Sequence, residues 1–232
     1  MQHSYYVVEY CCFFFLLFIA QKSRGLRLFD DKGVVRNFTM LIILHVTGIF
    51  LFGILPVVFH KSSPTFSHNV ESKALAVLIS LLLGVTLVMV SLVLARRKFN
   101  QTQAEYHLWL SPSQLALYFF VRIVFIAAYE NWFRGYLLAD SISTFGIVPA
   151  IIGNVCAYAL LHVVNGRQEV LACFPFGILL CGLCAWTGAV WPAIILHLAL
   201  TVPYEISFLQ KIKKTQTQPI ENLHHRRIRI PR

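Results

Sequence analysis

Apolar runs long enough to cross a bilayer recur along almost the whole chain, and no other feature limits its fold as severely. A spanning helix needs roughly 20 apolar residues. Such stretches fall at about 5–21, 38–59, 74–95, 115–137, 148–164, 170–186 and 190–206, the first and the last three being short. With 57% hydrophobic and only 13% charged residues, the chain has the composition of a protein whose solvent is lipid. The expected fold is all-α: a polytopic membrane protein of about seven transmembrane helices.

The net charge of +10 does not imply a nucleic-acid partner, because the basic residues lie between and after the apolar runs instead of forming one basic and aromatic surface. Topology explains them better. With the N-terminus outside, the inward segments 22–37, 96–114, 165–169 and the tail from 207 hold sixteen Lys and Arg against two in the outward ones. That positive-inside asymmetry reads as N-out and C-in. A signal peptide opens on a positive segment, whereas residues 1–10 contain no Lys or Arg and carry Glu9. The first span is therefore expected to stay as an uncleaved anchor. All six cysteines lie in apolar stretches and imply no disulfide framework. Cys181 and Cys184 match C-x-x-C in form, without the second pair that a metal site needs.

The second and third spans are apolar apart from His45 and read as scaffold. The polar, basic stretch 96–114, with Trp109 beside Ser111-Pro112, reads as an inward linker ending at a membrane interface. It divides N-terminal helices and linker, 1–114, from a second unit, 115–206. There, charged and histidine side chains enter the spans, punctuated by Gly135, Pro149, Pro175, Gly177, Pro192 and Pro203. Helices broken at membrane depth line protein-buried or watery cavities, so a polar cavity is expected among the C-terminal helices. The segment 207–232 reads as a disordered cytoplasmic tail attracted to anionic lipid.

A charge at mid-bilayer costs about 2.5–3.5 kcal/mol on insertion scales and more in simulation, so such residues usually face a cavity and have a function. Glu130 and Arg134 stand four apart, on one helical face and within pairing reach, with Arg122 two turns earlier on the same stripe. Tyr158 with His162, and His197 with Thr201, repeat the spacing. Glu9 and Glu205 sit near span ends and are expected to reach water. One carboxylate, one guanidinium and two imidazoles on three of the last four helices can activate water and stabilise an oxyanion, which is the chemistry of acyl-bond hydrolysis. His162, His197 and Glu130 could alternatively hold a catalytic zinc. The histidines, however, lie on different helices and the chain lacks H-E-x-x-H. No cofactor is expected.

These residues resemble the CAAX prenyl protease and bacteriocin-processing family of membrane proteins, known as the CPBP or Abi family, over about residues 115–206. Its signatures are E-E-x-x-x-R, F-x-x-x-H and H-x-x-x-N or H-x-x-x-D. Here Glu130 and Arg134 match the first, His162 the second and His197 the third, while Tyr129, Tyr158 and Thr201 depart from the pattern. The resemblance implies an intramembrane endopeptidase of glutamic type acting on membrane-tethered proteins or peptides. In it, a Glu and His162 activate water, and His197 and the residue at Thr201 stabilise the oxyanion. Arg134 organises the site. Because a phenol of pKa about 10 is a poor general base at pH 7, Tyr129 shifts water activation onto Glu130 or His162. The alternative is a catalytically inactive relative serving as a membrane immunity or adaptor protein. Small size and the absence of an obvious eukaryotic retention signal point to a prokaryotic plasma membrane.

Overall fold

A computed structural model describes residues 4–30, 33–59, 73–101 and 106–227, with side chains from Tyr5 to Gln216. The fold is an all-α polytopic membrane bundle. Among the described residues six helices are long and apolar enough to cross a membrane, and a further apolar helix, Ile147–Leu161, is shorter. The elements are α1 (Ser4–Lys22), a two-stranded hairpin of β1 (Phe29–Asp30) and β2 (Gly33–Val34), α2 (Phe38–Ile49), α3 (Leu55–Phe59), α4 (Lys73–Gln101), α5 (Pro112–Glu130), α6 (Leu138–Phe145), α7 (Ile147–Leu161), α8 (Arg167–Thr187) and α9 (Trp191–Arg227). A π-helical turn, Phe50–Ile54, joins α2 to α3, and another, Asn131–Leu137, joins α5 to α6.

The helix ends follow local chemistry. Ser111 caps α5 through a reciprocal box with Gln114, and Pro112 takes the first helical position, where its missing N–H costs nothing. Asn37 caps α2 by accepting from the Met40 N–H. Pro175 and Pro203 break nothing: α8 and α9 run straight through them. The chain reverses instead at Gly146 (φ 81°), Gly166 (φ 108°) and Gly188 (φ 67°), positions the sequence reading passed over. Only glycine adopts the backbone of Gly146 and Gly166 without strain.

Two further expectations are corrected. The polar segment after 206 continues α9 to Arg227, because Phe208, Leu209 and Ile212 supply a buried face that the surrounding lysines obscure; residues 228–232 lie outside the described residues. Glu9 and Glu205 do not reach water. Both are buried: Glu9 accepts from the Trp132 indole at 2.6 Å, and Glu205 from the Tyr118 hydroxyl at 2.9 Å.

The basic connections gather at one end of the bundle. Arg27 forks onto both Glu169 carboxylate oxygens and donates from Nε to Asn165 Oδ1 at 3.1 Å. Trp109 donates to the Val35 carbonyl and Tyr106 to that of Asp30. At the other end Tyr5 stacks on Phe59, and Tyr6 donates to Asp140 at 2.5 Å.

Candidate active site

The fourth span is longer than the sequence implies and the helix after it shorter, and together they level the site. A single helical run covers Pro112–Phe145, turns at Gly146, and returns only as far as Leu161. Glu130 stands sixteen residues before that turn and His162 sixteen after it. At 1.5 Å per residue both lie about 24 Å from the reversal, side by side in depth.

The π-helical turn at Asn131–Leu137 begins immediately after Glu130 and carries Arg134. Turns of this kind inside α-helices are frequent at functional sites. Its geometry is held from outside the helix: the Asn154 amide donates to the Phe133 carbonyl at 2.6 Å, and the Cys181 thiol donates to Asn154 Oδ1 at 3.3 Å. The π-helical turn of the second span packs against it, placing Phe52 on Tyr129, Trp132 and Phe133. The second span is thus more than scaffold.

Glu130 and Arg134 are both fully buried, with Arg134 Nη1 3.3 Å from Glu130 Oε2. The contact is an ion pair without an aligned hydrogen bond, since neither Glu130 Oε2 nor the three Arg134 nitrogens has a hydrogen-bond partner among the described residues. The guanidinium also lies over the Tyr158 ring at 4.4 Å and that of Phe133 at 5.4 Å, where the ring faces offset part of its desolvation. On α9, His197 Nδ1 lies 2.5 Å from Glu130 Oε1. The carboxylate can only accept, so Nδ1 carries the hydrogen, and in the neutral ring the lone pair then sits on Nε2.

His162 caps the C-terminus of α7, and its Nδ1–H donates to the Tyr158 carbonyl at 3.0 Å, which fixes Nε2 as an acceptor here too. Tyr158 is the shared wall. Its ring lies 4.6 Å from that of His162 and 6.4 Å from that of His197, and Phe176 closes the far side of His197. A Cβ on Gly177 would come within 3.4 Å of Tyr158, so the glycine lets α8 press the ring into place. Beyond His162, Gln21 and Arg27 hold the turn 163–169 through Val164, Asn165 and Glu169.

The structure therefore brings Glu130, Arg134, His162 and His197 to one place around Tyr158. Thr201 lies one turn beyond His197 on α9, half-buried. Tyr129, where the signature has a carboxylate, is buried with its hydroxyl unpartnered among the described residues, and its ring centre is 6.2 Å from that of His197. Among the described residues no three His, Cys, Asp or Glu side chains form a metal-ligand set. Zinc on His197 and Glu130 would have to displace the hydrogen bond they share.

A second polar cluster, buried apart from the half-buried Arg122, escaped the sequence reading, which treated its members separately. Tyr118, Arg122, Glu205 and His45 join the second, fourth and last spans. A signal was present: Arg122 precedes Glu130 by the interval that separates His197 from Glu205.

The family model of type II CAAX prenyl endopeptidase Rce1-like proteins matches residues 106–202, less than half of the chain but including Glu130, Arg134, His162, His197 and Thr201. No curated protein and no solved structure matches. The match over residues 106–202 of this integral membrane protein is consistent with the CPBP family.

Proposed function

We propose that the chain is an intramembrane endopeptidase of the CAAX-protease and bacteriocin-processing type, cleaving peptide bonds in membrane-tethered proteins or peptides such as prenylated C-termini or bacteriocin leaders. The observation that carries this reading is the 2.5 Å contact between a fully buried carboxylate and an imidazole, Glu130 and His197, inside the Rce1-like segment. A carboxylate bonded to Nδ1 holds the ring in the tautomer and orientation that make Nε2 a general base, the logic of hydrolytic triads.

In this scheme Glu130 orients rather than activates water itself, because Oε1 is engaged by His197 and Oε2 faces Arg134. His197 Nε2 takes the proton of a water whose other hydrogen is held by His162 Nε2. The water oxygen attacks the scissile carbonyl carbon, and the Thr201 hydroxyl donates to the oxyanion. Collapse of the tetrahedral intermediate breaks the C–N bond, and the proton held by His197 passes to the departing amine. A neutral imidazole that donates through Nδ1 has a lone pair at Nε2, which suits a base better than the oxyanion donor implied by the resemblance. No step uses a metal.

The proposed topology is seven spans, N-out and C-in, with anionic lipid at the basic end of the bundle and a prokaryotic plasma membrane as the location. Cleavage of a lipidated or leader-bearing peptide, abolished in His197→Ala and His162→Ala and insensitive to chelator, tests the reading. A second reading is favoured by Tyr129: with a phenol in the carboxylate position, and both oxygens of Glu130 engaged, the fold serves as a non-cleaving immunity or adaptor protein. Tyr129→Glu combined with Thr201→Asn would then create peptidase activity.

A further inference from the structure

The two helices that supply Glu130 and His197 are joined a second time. Arg122 Nε lies 3.6 Å from Glu205 Oε1, and the Tyr118 hydroxyl donates to the same oxygen at 2.9 Å. Arg122 Nη1 donates to His45 Nε2 at 3.1 Å, and His45 Nδ1–H donates to the Leu41 carbonyl at 2.7 Å. Each member of this pair stands eight residues from a member of the other: Arg122 from Glu130 on α5, and Glu205 from His197 on α9. The pairs therefore cross one antiparallel interface in a single register, about 12 Å apart along the helix axes. Ile126 and Thr201 fall halfway on the same stripes.

We propose that Arg122 and Glu205, braced by Tyr118 and His45, are positioning residues that set the register of α9 on α5 and thereby deliver His197 to Glu130. The inference rests on the hydrolytic reading of the site. Apolar helix faces in lipid specify register weakly, because the tails are as apolar as the side chains they replace. A one-residue slip shifts α9 by about 1.5 Å and turns it by about 100°. That slip would part both contacts together and leave the buried Glu205 carboxylate uncompensated. Buried ionic pairs are best attested as devices of register and specificity rather than of net stability. Arg122 has little left for substrate, being balanced by Glu205 and bonded to His45.

The test uses the full-length chain in liposomes with the apolar double variant Arg122→Met/Glu205→Met and the charge exchange Arg122→Glu/Glu205→Arg. Register is read without reference to activity, from disulfide formation between Ile126→Cys and a cysteine placed in turn at Leu200, Thr201 or Val202, mapped by mass spectrometry. In the parent, cross-linking is expected to peak at 201. In the apolar double variant the peak should spread to 200 and 202, Tm should be retained, and, with residues 126 and 201 native, kcat should fall about 100-fold at unchanged KM, the scale of an ångström-sized misplacement. The exchange should restore both readouts in part. An apolar variant with the parental cross-link pattern and kcat overturns the proposal. If that variant does not fold, the exchange decides: no recovery of the 201 peak overturns it. A parent chain that cross-links at 201 but cleaves nothing removes the hydrolytic reading alone.

Discussion

His197 Nδ1 meets Glu130 Oε1 at 2.5 Å, across the interface between the last helix and the fourth span, with the carboxylate completely buried. Whatever ligand the site takes, that contact fixes the His197 ring. Glu130→Gln keeps the shape and removes the charge that selects the tautomer. The expected outcome is a loss of kcat of at least about 100-fold with KM within about twofold, by the precedent of triads whose carboxylate becomes an amide. Steady-state cleavage of a lipidated peptide measures it.

Arg134 and Glu130 compensate each other where no water reaches. Arg134→Met should therefore destabilise the protein by about 3–5 kcal/mol, the usual cost of stranding one buried charge, and the further change Glu130→Met should recover most of that loss. Thermal unfolding in detergent separates the two effects. Activity should stay lost in both variants.

Thr201→Val removes a hydroxyl at nearly constant volume. If the hydroxyl donates to the oxyanion, kcat should fall by about 100- to 1,000-fold, with Tm little changed because the side chain is only half-buried and its volume is kept. A Thr201→Val chain as active as the parent removes Thr201 from the mechanism.

Gly166 opens α8 at φ 108° and ψ 159°, a backbone region essentially closed to side chains. Gly166→Ala should cost about 1–3 kcal/mol and loosen the turn between His162 and Arg167. Hydrogen exchange at 163–169 should rise, while exchange in α2 and α4 stays at the parental level.

Much of this was legible in the chain. The apolar runs gave the membrane bundle, and the spacing of Glu130 and Arg134 gave a contact that is present. Where the reading failed, the cause was tertiary. Glu205 looked able to reach water because it sits near the end of its span, yet Arg122 and Tyr118 meet it across the bundle. The apolar runs alone end the fourth span near 137 and carry the next one to 164. Nothing local announces that one helical run extends to Phe145 and the next stops at Leu161. The π-helical turn carrying Arg134 is likewise invisible in WFRGYLL, since Asn154 and the second span hold it from outside. Prolines misled because Pro175 and Pro203 sit inside unbroken helices, as membrane helices tolerate where neighbouring groups re-satisfy the freed backbone.

The most direct measurement is cleavage of a prenylated C-terminal peptide by the purified chain in liposomes, parent against His197→Ala, each with and without chelator. A parent that releases the C-terminal fragment at a rate unaffected by chelator, with His197→Ala slower by at least about 100-fold, is the expected result. Equal cleavage by parent and His197→Ala, or no cleavage by the parent, would contradict a hydrolytic site built on Glu130 and His197.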